Sequence, residues 1–378
     1  MRSVGFYLSQ ALPPRQRYRL LRHSCAHRYR SSVLNVPPDL RQVRSMLFIL
    51  PEDTLEALYQ VENVVALREH FSQASVSFLC RAEVSDYFRS IAPEASFIDY
   101  QLEDRYLHSP VFAAFGISFA HEHFDLCFLL EKHPDMALLD IVGKTGARVR
   151  IGYDGACEYP FINYVVRPST SKSLVQRNCA MARSMGLKTG KRPRLLVARE
   201  AIQGVSRLLR DIGVDAAKPF LVIDGGEFVA RFGSEWTASL VSALRAGAPA
   251  TVCATGGSEG GEDSCREIAA AGAKMVPPLT VPRTAALLSK AVCVVAPHTI
   301  LLRMATLLGK PSVAVLPDGE AGGGAPKELC TAVSYTNSPD AETVSRIVSE
   351  ARRACPKPLP EPKADAPEPD STGTDLVS

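Results

Sequence analysis

The sequence predicts an α/β protein made of two facing Rossmann-like domains, each a parallel sheet covered by helices, with a cleft between them. Three observations carry this. The chain has 378 residues, more than one domain of ordinary size occupies. Short apolar runs alternate with helix-period segments along most of its length, which is the pattern of a parallel sheet buried on both faces. The stretch Ala291–Gly319 also reads as one complete strand–helix–strand unit.

Residues 1–40 stand apart as a basic extension. Seven arginines (Arg2, Arg15, Arg17, Arg19, Arg22, Arg28, Arg30) precede the first acidic residue, Asp39. The segment has no continuous apolar core of the kind a secretory signal needs. Four readings fit it besides a plain, partly ordered basic extension: an arm on anionic lipid, a nucleic-acid-binding tail, an organelle transit peptide, or a mistaken start codon. Peripheral attraction to an anionic membrane is preferred among the functional ones, because acidic headgroups contribute about 1 kcal/mol per basic residue near the surface.

A first domain is expected over 41–166, with strands at Met46–Leu50, Val76–Leu79, Leu126–Leu130 and Val149–Ile151 and a helix over Thr54–Phe71. Residues 167–192, basic and polar around a helical Leu174–Met185, read as the junction. The second domain is expected over 193–354. Its strands are read at Leu195–Val197, Phe220–Ile223, Thr251–Cys253, Val292–Ala296 and Ser312–Leu316, and its helices include Glu235–Ala246 and Asp263–Ala271. From residue 355 on, Pro, Asp and Glu dominate and aromatics vanish, so 355–378 is expected to be a disordered tail.

Bulk properties narrow the function. Lys and Arg number 43 against 40 Asp and Glu, a net charge of +3, so the molecule as a whole is no electrostatic nucleic-acid binder. No apolar run reaches the roughly 18 to 20 residues of a membrane-spanning helix. The ten cysteines are scattered with no CxxC pair, and several lie inside apolar runs. They read as buried thiols of a cytoplasmic protein, not as disulfides or metal ligands.

In AVCVVAPHTILLRMATLLGKPSVAVLPDG (Ala291–Gly319) the physics reads directly. Val292–Ala296 is a buried strand, Pro297–His298–Thr299 a turn, and Thr299 the cap of the next helix. Leu301, Leu302, Ala305 and Leu308 make one apolar stripe. Gly309 and Pro311 stop the helix before the next strand. The strand-to-helix turn of such a unit is where open α/β sheets bind ligands.

This segment resembles glycosyltransferase family 9, the ADP-heptose:lipopolysaccharide heptosyltransferases. There it runs approximately A-D-hydrophobic-V-V-S-N-D-[ST]-G-P-M-H-L-A-A-A-L-G-x-P-V-V-A-L-F-G. Weaker likenesses follow in the family's order: FDLCFLLEK (Phe124–Lys132), IGYDGACEYPFINYVV (Ile151–Val166), SLVQRNCAMARSMGL (Ser173–Leu187) and TGGSEGGED (Thr255–Asp263). The resemblance spans about residues 45–345. It implies a GT-B-like fold and an inverting, metal-independent transfer of a heptose or similar sugar. The donor would be a nucleotide-diphosphate sugar, ADP-linked by the resemblance, and the acceptor a lipid-linked or glycan molecule. No cofactor is implied, and the protein would be cytoplasmic, at most peripheral on the inner membrane face.

The site residues follow from the same alignment. Glu56 in PEDTLEAL falls at the family's catalytic-base Asp. It could deprotonate an acceptor hydroxyl, or Asp53 and Glu56 are simply first-turn acids favoured by the helix dipole. His298 and Thr299 fall at the donor-diphosphate turn, where a helix N-terminus favours anions. Ile300 replaces the family's Gly and Arg303 its His; Arg303 either reaches a phosphate or faces solvent. In IDGGEFVARFGSEW, Gly225 and Gly226 keep the tight post-strand turn. No Lys follows, so Arg231 is the nearest cation, while Asp224 and Glu227 oppose a diphosphate. Gly257 and Glu259, with Glu262 second, fall at the ribose-binding loop, and the same text also reads as a mobile loop. Gly322–Gly324 is a donor-facing loop or a plain connector. A catalytically degenerate protein that binds nucleotides or glycans, or serves as a scaffold, is the competing reading, since three motifs in three parts of the cleft have changed.

Overall fold

The computed structural model describes residues 40, 43–106, 109–154, 161–167, 177–188, 193, 195–256, 262–319 and 329–355. The basic arm, the tail beyond Cys355, the 257–261 loop with Gly257 and Glu259, and Gly322–Gly324 lie outside them.

Two six-stranded sheets form the framework, and every strand pair in both is parallel. The first sheet comprises β1 (Ser45–Ile49), β2 (Ser75–Arg81), β3 (Ser96–Tyr100), β4 (Leu126–Leu129), β5 (Val149–Tyr153) and β6 (Tyr164–Val166), ordered β3-β2-β1-β4-β5-β6. The second comprises β7 (Phe220–Ile223), β8 (Thr251–Thr255), β9 (Lys274–Val276), β10 (Cys293–Ala296), β11 (Ser312–Pro317) and β12 (Cys330–Tyr335), ordered β12-β11-β10-β7-β8-β9. Both are doubly wound Rossmann sheets. The strand order reverses at β1/β4 in one and β7/β10 in the other, and such a reversal opens a ligand crevice beyond the strands' carboxyl ends.

Strand alternation divides the core. Met46, Phe48 and Leu50 face one side of the first sheet and Leu47 and Ile49 the other; Phe220 and Val222 part from Leu221 and Ile223 in the same way. The outer faces bury separate clusters. The inner faces, with the helices between them, share one apolar cluster running from Met46 to Cys330.

Three local expectations change. Thr54–Phe71 is two helices, Thr54–Tyr59 and Val61–His70, divided at Gln60. The Gln60 N–H bonds back to Ala57 O at 2.9 Å, and its buried side-chain oxygen accepts from Asn63 Nδ2 and the Tyr153 hydroxyl. Leu195–Val197 is not a strand. The Leu196 N–H donates to Ser90 O at 2.9 Å in the first domain, so the run is spent on the crossing between domains. β3, β6, β9 and β12 were not anticipated; β3 and β12 carry polar residues among the apolar ones, and β6 and β9 are three residues long.

No helix among the described residues is long and apolar enough to cross a membrane.

Candidate active site between the two sheets

A cleft of about 500 Å³ lies at the carboxyl ends of β7, β8, β9 and β10. Leu55 and Tyr87 reach it from the first domain, and Asp224, Thr255, His298 and Thr299 are among the second domain's contributions. Its size is that of an ordinary small-ligand site, and its position is the switch point of the second sheet.

The tight post-strand turn expected at Gly225 and Gly226 is the first turn of a helix. Both glycines are buried and open the helix Gly225–Phe232 directly after β7. Gly225 is required by proximity: a Cβ there would stand 2.9 Å from Thr255 O and 3.3 Å from the Ala254 Cβ.

Thr299 precedes the helix Ile300–Leu307 but does not cap it with its side chain. Its hydroxyl donates to Asp224 Oδ2 at 2.8 Å, so the first N–H groups of that helix are not taken by this side chain. Asp224 is buried, and desolvation pushes its carboxyl up to about 6, with Glu227 adding to the shift. The Thr299 hydroxyl, the Glu227 N–H and Arg231 oppose the rise.

Arg231, the nearest cation by sequence, is a helix residue. It sits in the last turn of Gly225–Phe232, with Nε 3.4 Å from Glu227 Oε2 and Nη2 donating to His298 O at 3.4 Å. Glu227 and Arg231 both line the cleft, one charge of each sign. His298 Nε2 lies 2.5 Å from the Tyr59 hydroxyl, which joins the cleft wall to the first domain.

Arg303 departs most from expectation. It neither faces solvent nor lines the cleft: it is 3% exposed, and Nε and Nη2 donate to Leu58 O at 3.2 and 3.0 Å. Nη2 also contacts both Glu62 oxygens, at 2.7 and 2.6 Å, and the guanidinium lies 5.0 Å from the Tyr59 ring centroid. Its charge is engaged between the domains.

Glu56 is half exposed in the first turn of its helix, 3.6 Å from Lys132 Nζ. Asp53 is the N-cap, accepting the Glu56 N–H at 2.8 Å. Leu55, not Glu56, lines the cleft. Sequence reasoning missed Tyr59, Glu62 and Tyr87, which carry no motif of their own. Among the described residues no group of three His, Cys, Asp or Glu side chains is placed to hold a metal, and Cys80, Cys127, Cys253, Cys293, Cys330 and Cys355 are buried free thiols.

No family model and no curated protein matches the sequence. Solved structures do match. A glycosyl transferase family 9 protein from Veillonella parvula aligns with a TM-score of 0.70 at 12% identity, covering 82% of this chain and 97% of its own. Escherichia coli ADP-heptose lps heptosyltransferase II aligns at 0.65 and 16%, covering 82% and 98%. E. coli heptosyltransferase WaaC with ADP aligns at 0.63 and 14%, covering 81% and 99%. At such identities the likeness is one of fold, and the fold is GT-B-like with two facing α/β domains.

Proposed function

We infer that the protein is a glycosyltransferase that moves a sugar from a nucleoside-diphosphate donor to an acceptor bound against the first domain. The observation that carries this reading is the cleft itself. It lies at the switch point of the second sheet, has room for a nucleotide sugar, and is walled on its other side by first-domain residues. The fold it shares with structures named as heptosyltransferases, one of them bound to ADP, supports an ADP-linked donor.

In this reading the diphosphate lies at the N-terminus of Ile300–Leu307, where backbone N–H groups and the helix dipole favour an anion. Arg231 supplies the adjacent positive charge, and Thr299 and His298 border it. Arg303 acts indirectly, by holding that helix against the first domain. The acceptor, lipid-linked or glycan, attacks the anomeric carbon from the opposite side. Its hydroxyl proton passes to Glu56, and the C–O bond to the diphosphate breaks with its electron pair on the leaving group, inverting the centre. The pair with Lys132 is exposed and holds Glu56 weakly, so turning that carboxylate toward the cleft costs little. The basic arm 1–38 adds a peripheral contact with anionic membrane on the cytoplasmic side.

Thermal shift with ADP-, UDP- and GDP-sugars tests the reading. A donor at 100 times its Kd adds about 2.7 kcal/mol of stability, and release of the free nucleoside diphosphate on adding acceptor measures transfer. No shift with any donor overturns the proposal. A second reading, a non-catalytic nucleotide- or glycan-binding component, is favoured by the burial of Arg303 and the two carboxylates, Asp224 and Glu227, at the cleft. Donor binding without transfer or donor hydrolysis selects it.

A further inference from the structure

Arg231 also lines a second hollow, of about 580 Å³, at the neighbouring end of the same sheet. Phe232 at the close of its helix, Trp236 in the first turn of Ser234–Gly247, and Tyr335 at the end of β12 supply aromatic walls. Phe232 meets Trp236 edge-on at 4.9 Å and Tyr335 at 5.3 Å with a right angle between the rings. Pro339 adds a further apolar side, and Arg231, Asn337 and Ser338 supply the polar part of the wall.

The turn carrying the polar groups is held in place. Thr336 bonds the Asp318 carboxylate, the Ser338 N–H donates to Thr336 O at 2.8 Å, and Asn337 takes the left-handed conformation with φ 63°. Few residues other than Gly adopt it, Asn being the commonest, so the conformation is locally specified. The Trp236 indole N–H is buried with no hydrogen-bond partner among the described residues, although a buried Trp usually has one.

We propose that this hollow is a saccharide subsite, separate from the nucleotide cleft, that takes a pyranose ring of a glycan. The C–H faces of such a ring pack on aromatic walls, while its hydroxyls need the amide, hydroxyl and guanidinium found at the rim. An acyl chain is a poor occupant of a pocket half lined by hydrogen-bonding groups, because each would be desolvated without a partner. A ring bound here lies on the other side of Arg231 from the donor cleft, and the site stands whether or not transfer takes place.

The chain has one tryptophan, so its emission reports on this hollow alone. The full-length protein is titrated with methyl hexopyranosides, maltose, cellobiose and chitobiose. A saturable change in emission with a Kd of about 0.1 to 10 mM, the range of weak single-site binding, is expected. Asn337→Gly keeps the turn's backbone freedom while removing the amide, and should weaken binding about three- to tenfold with Tm unchanged, the fold-change of one lost hydrogen bond. Ser338→Ala is the second variant, with the same expectation. A flat titration to about 50 mM saccharide overturns the proposal, since that excludes even millimolar affinity. Wild-type affinity in both variants overturns it as well. So does an emission change with ADP or UDP while saccharides stay silent, which places the response at the donor cleft that shares Arg231. Donor thermal shifts read the cleft independently, so either proposal can fail without the other.

Discussion

Arg303 and Glu62 stand 241 residues apart in the chain and meet through both carboxylate oxygens across the domain boundary. With side chains 3% and 15% exposed, this is a pair whose loss leaves a buried charge uncompensated. Glu62→Ala or Arg303→Ala alone should cost about 3 to 5 kcal/mol, and Glu62→Leu with Arg303→Met much less than twice that. Urea unfolding measures it. Full additivity of the two single changes would show that the residues do not act as a pair.

Asp224 predicts a pH dependence. Its folded-state pKa is raised from 3.8 to about 6, so the native state binds the proton more tightly than the unfolded chain. The stability this contributes is complete below about pH 4 and is lost as pH rises through 6, a difference of roughly 3 kcal/mol. Asp224→Asn should flatten the curve between pH 4 and 6 and stabilise the protein at pH 7.5. It should also tighten ADP binding at neutral pH, because a buried negative charge leaves the cleft. An unchanged pH profile by urea titration would count against this.

Glu56 and Asp53 separate chemistry from capping. Glu56→Gln should lower transfer about 10²- to 10⁴-fold with donor affinity and Tm preserved. Asp53→Ala should cost about 1 kcal/mol through loss of the cap. Full transfer activity in Glu56→Gln removes Glu56 as the base.

Gly225→Ala tests the close approach of the helix to β8. A methyl 2.9 Å from Thr255 O forces the backbone apart, and a loss of about 1 to 3 kcal/mol is expected in thermal unfolding.

The fold was legible where burial is continuous. β4, β7 and β10 are apolar throughout and β1 is so after Ser45, and Ala291–Gly319 folds as the strand, helix and strand its residues spell out, with only the Thr299 side-chain cap missing. Peripheral elements were harder: Lys274–Val276 exposes its first residue and is too short to show a period. At the site, strand ends and helix starts were readable from glycines and apolar stripes, and so was the acidic character of the mouth. Partners were not. An arginine one turn into a helix looks the same in sequence whether it meets phosphate, water or a glutamate 241 residues earlier. Tyr59 and His298 likewise meet only through the tertiary fold.

The apolar cluster common to both inner faces also bears on how the protein is made. Translation at about 5 to 20 residues per second separates Glu62 from Arg303 by some tens of seconds on the ribosome. During that interval Leu58, Val61 and their neighbours have emerged, while Leu302, Ala305 and the rest of their shared cluster do not yet exist. The first half of the chain must therefore wait with a sticky face uncovered, and nascent-chain chaperones should bind it more persistently than its own six-stranded sheet alone would require.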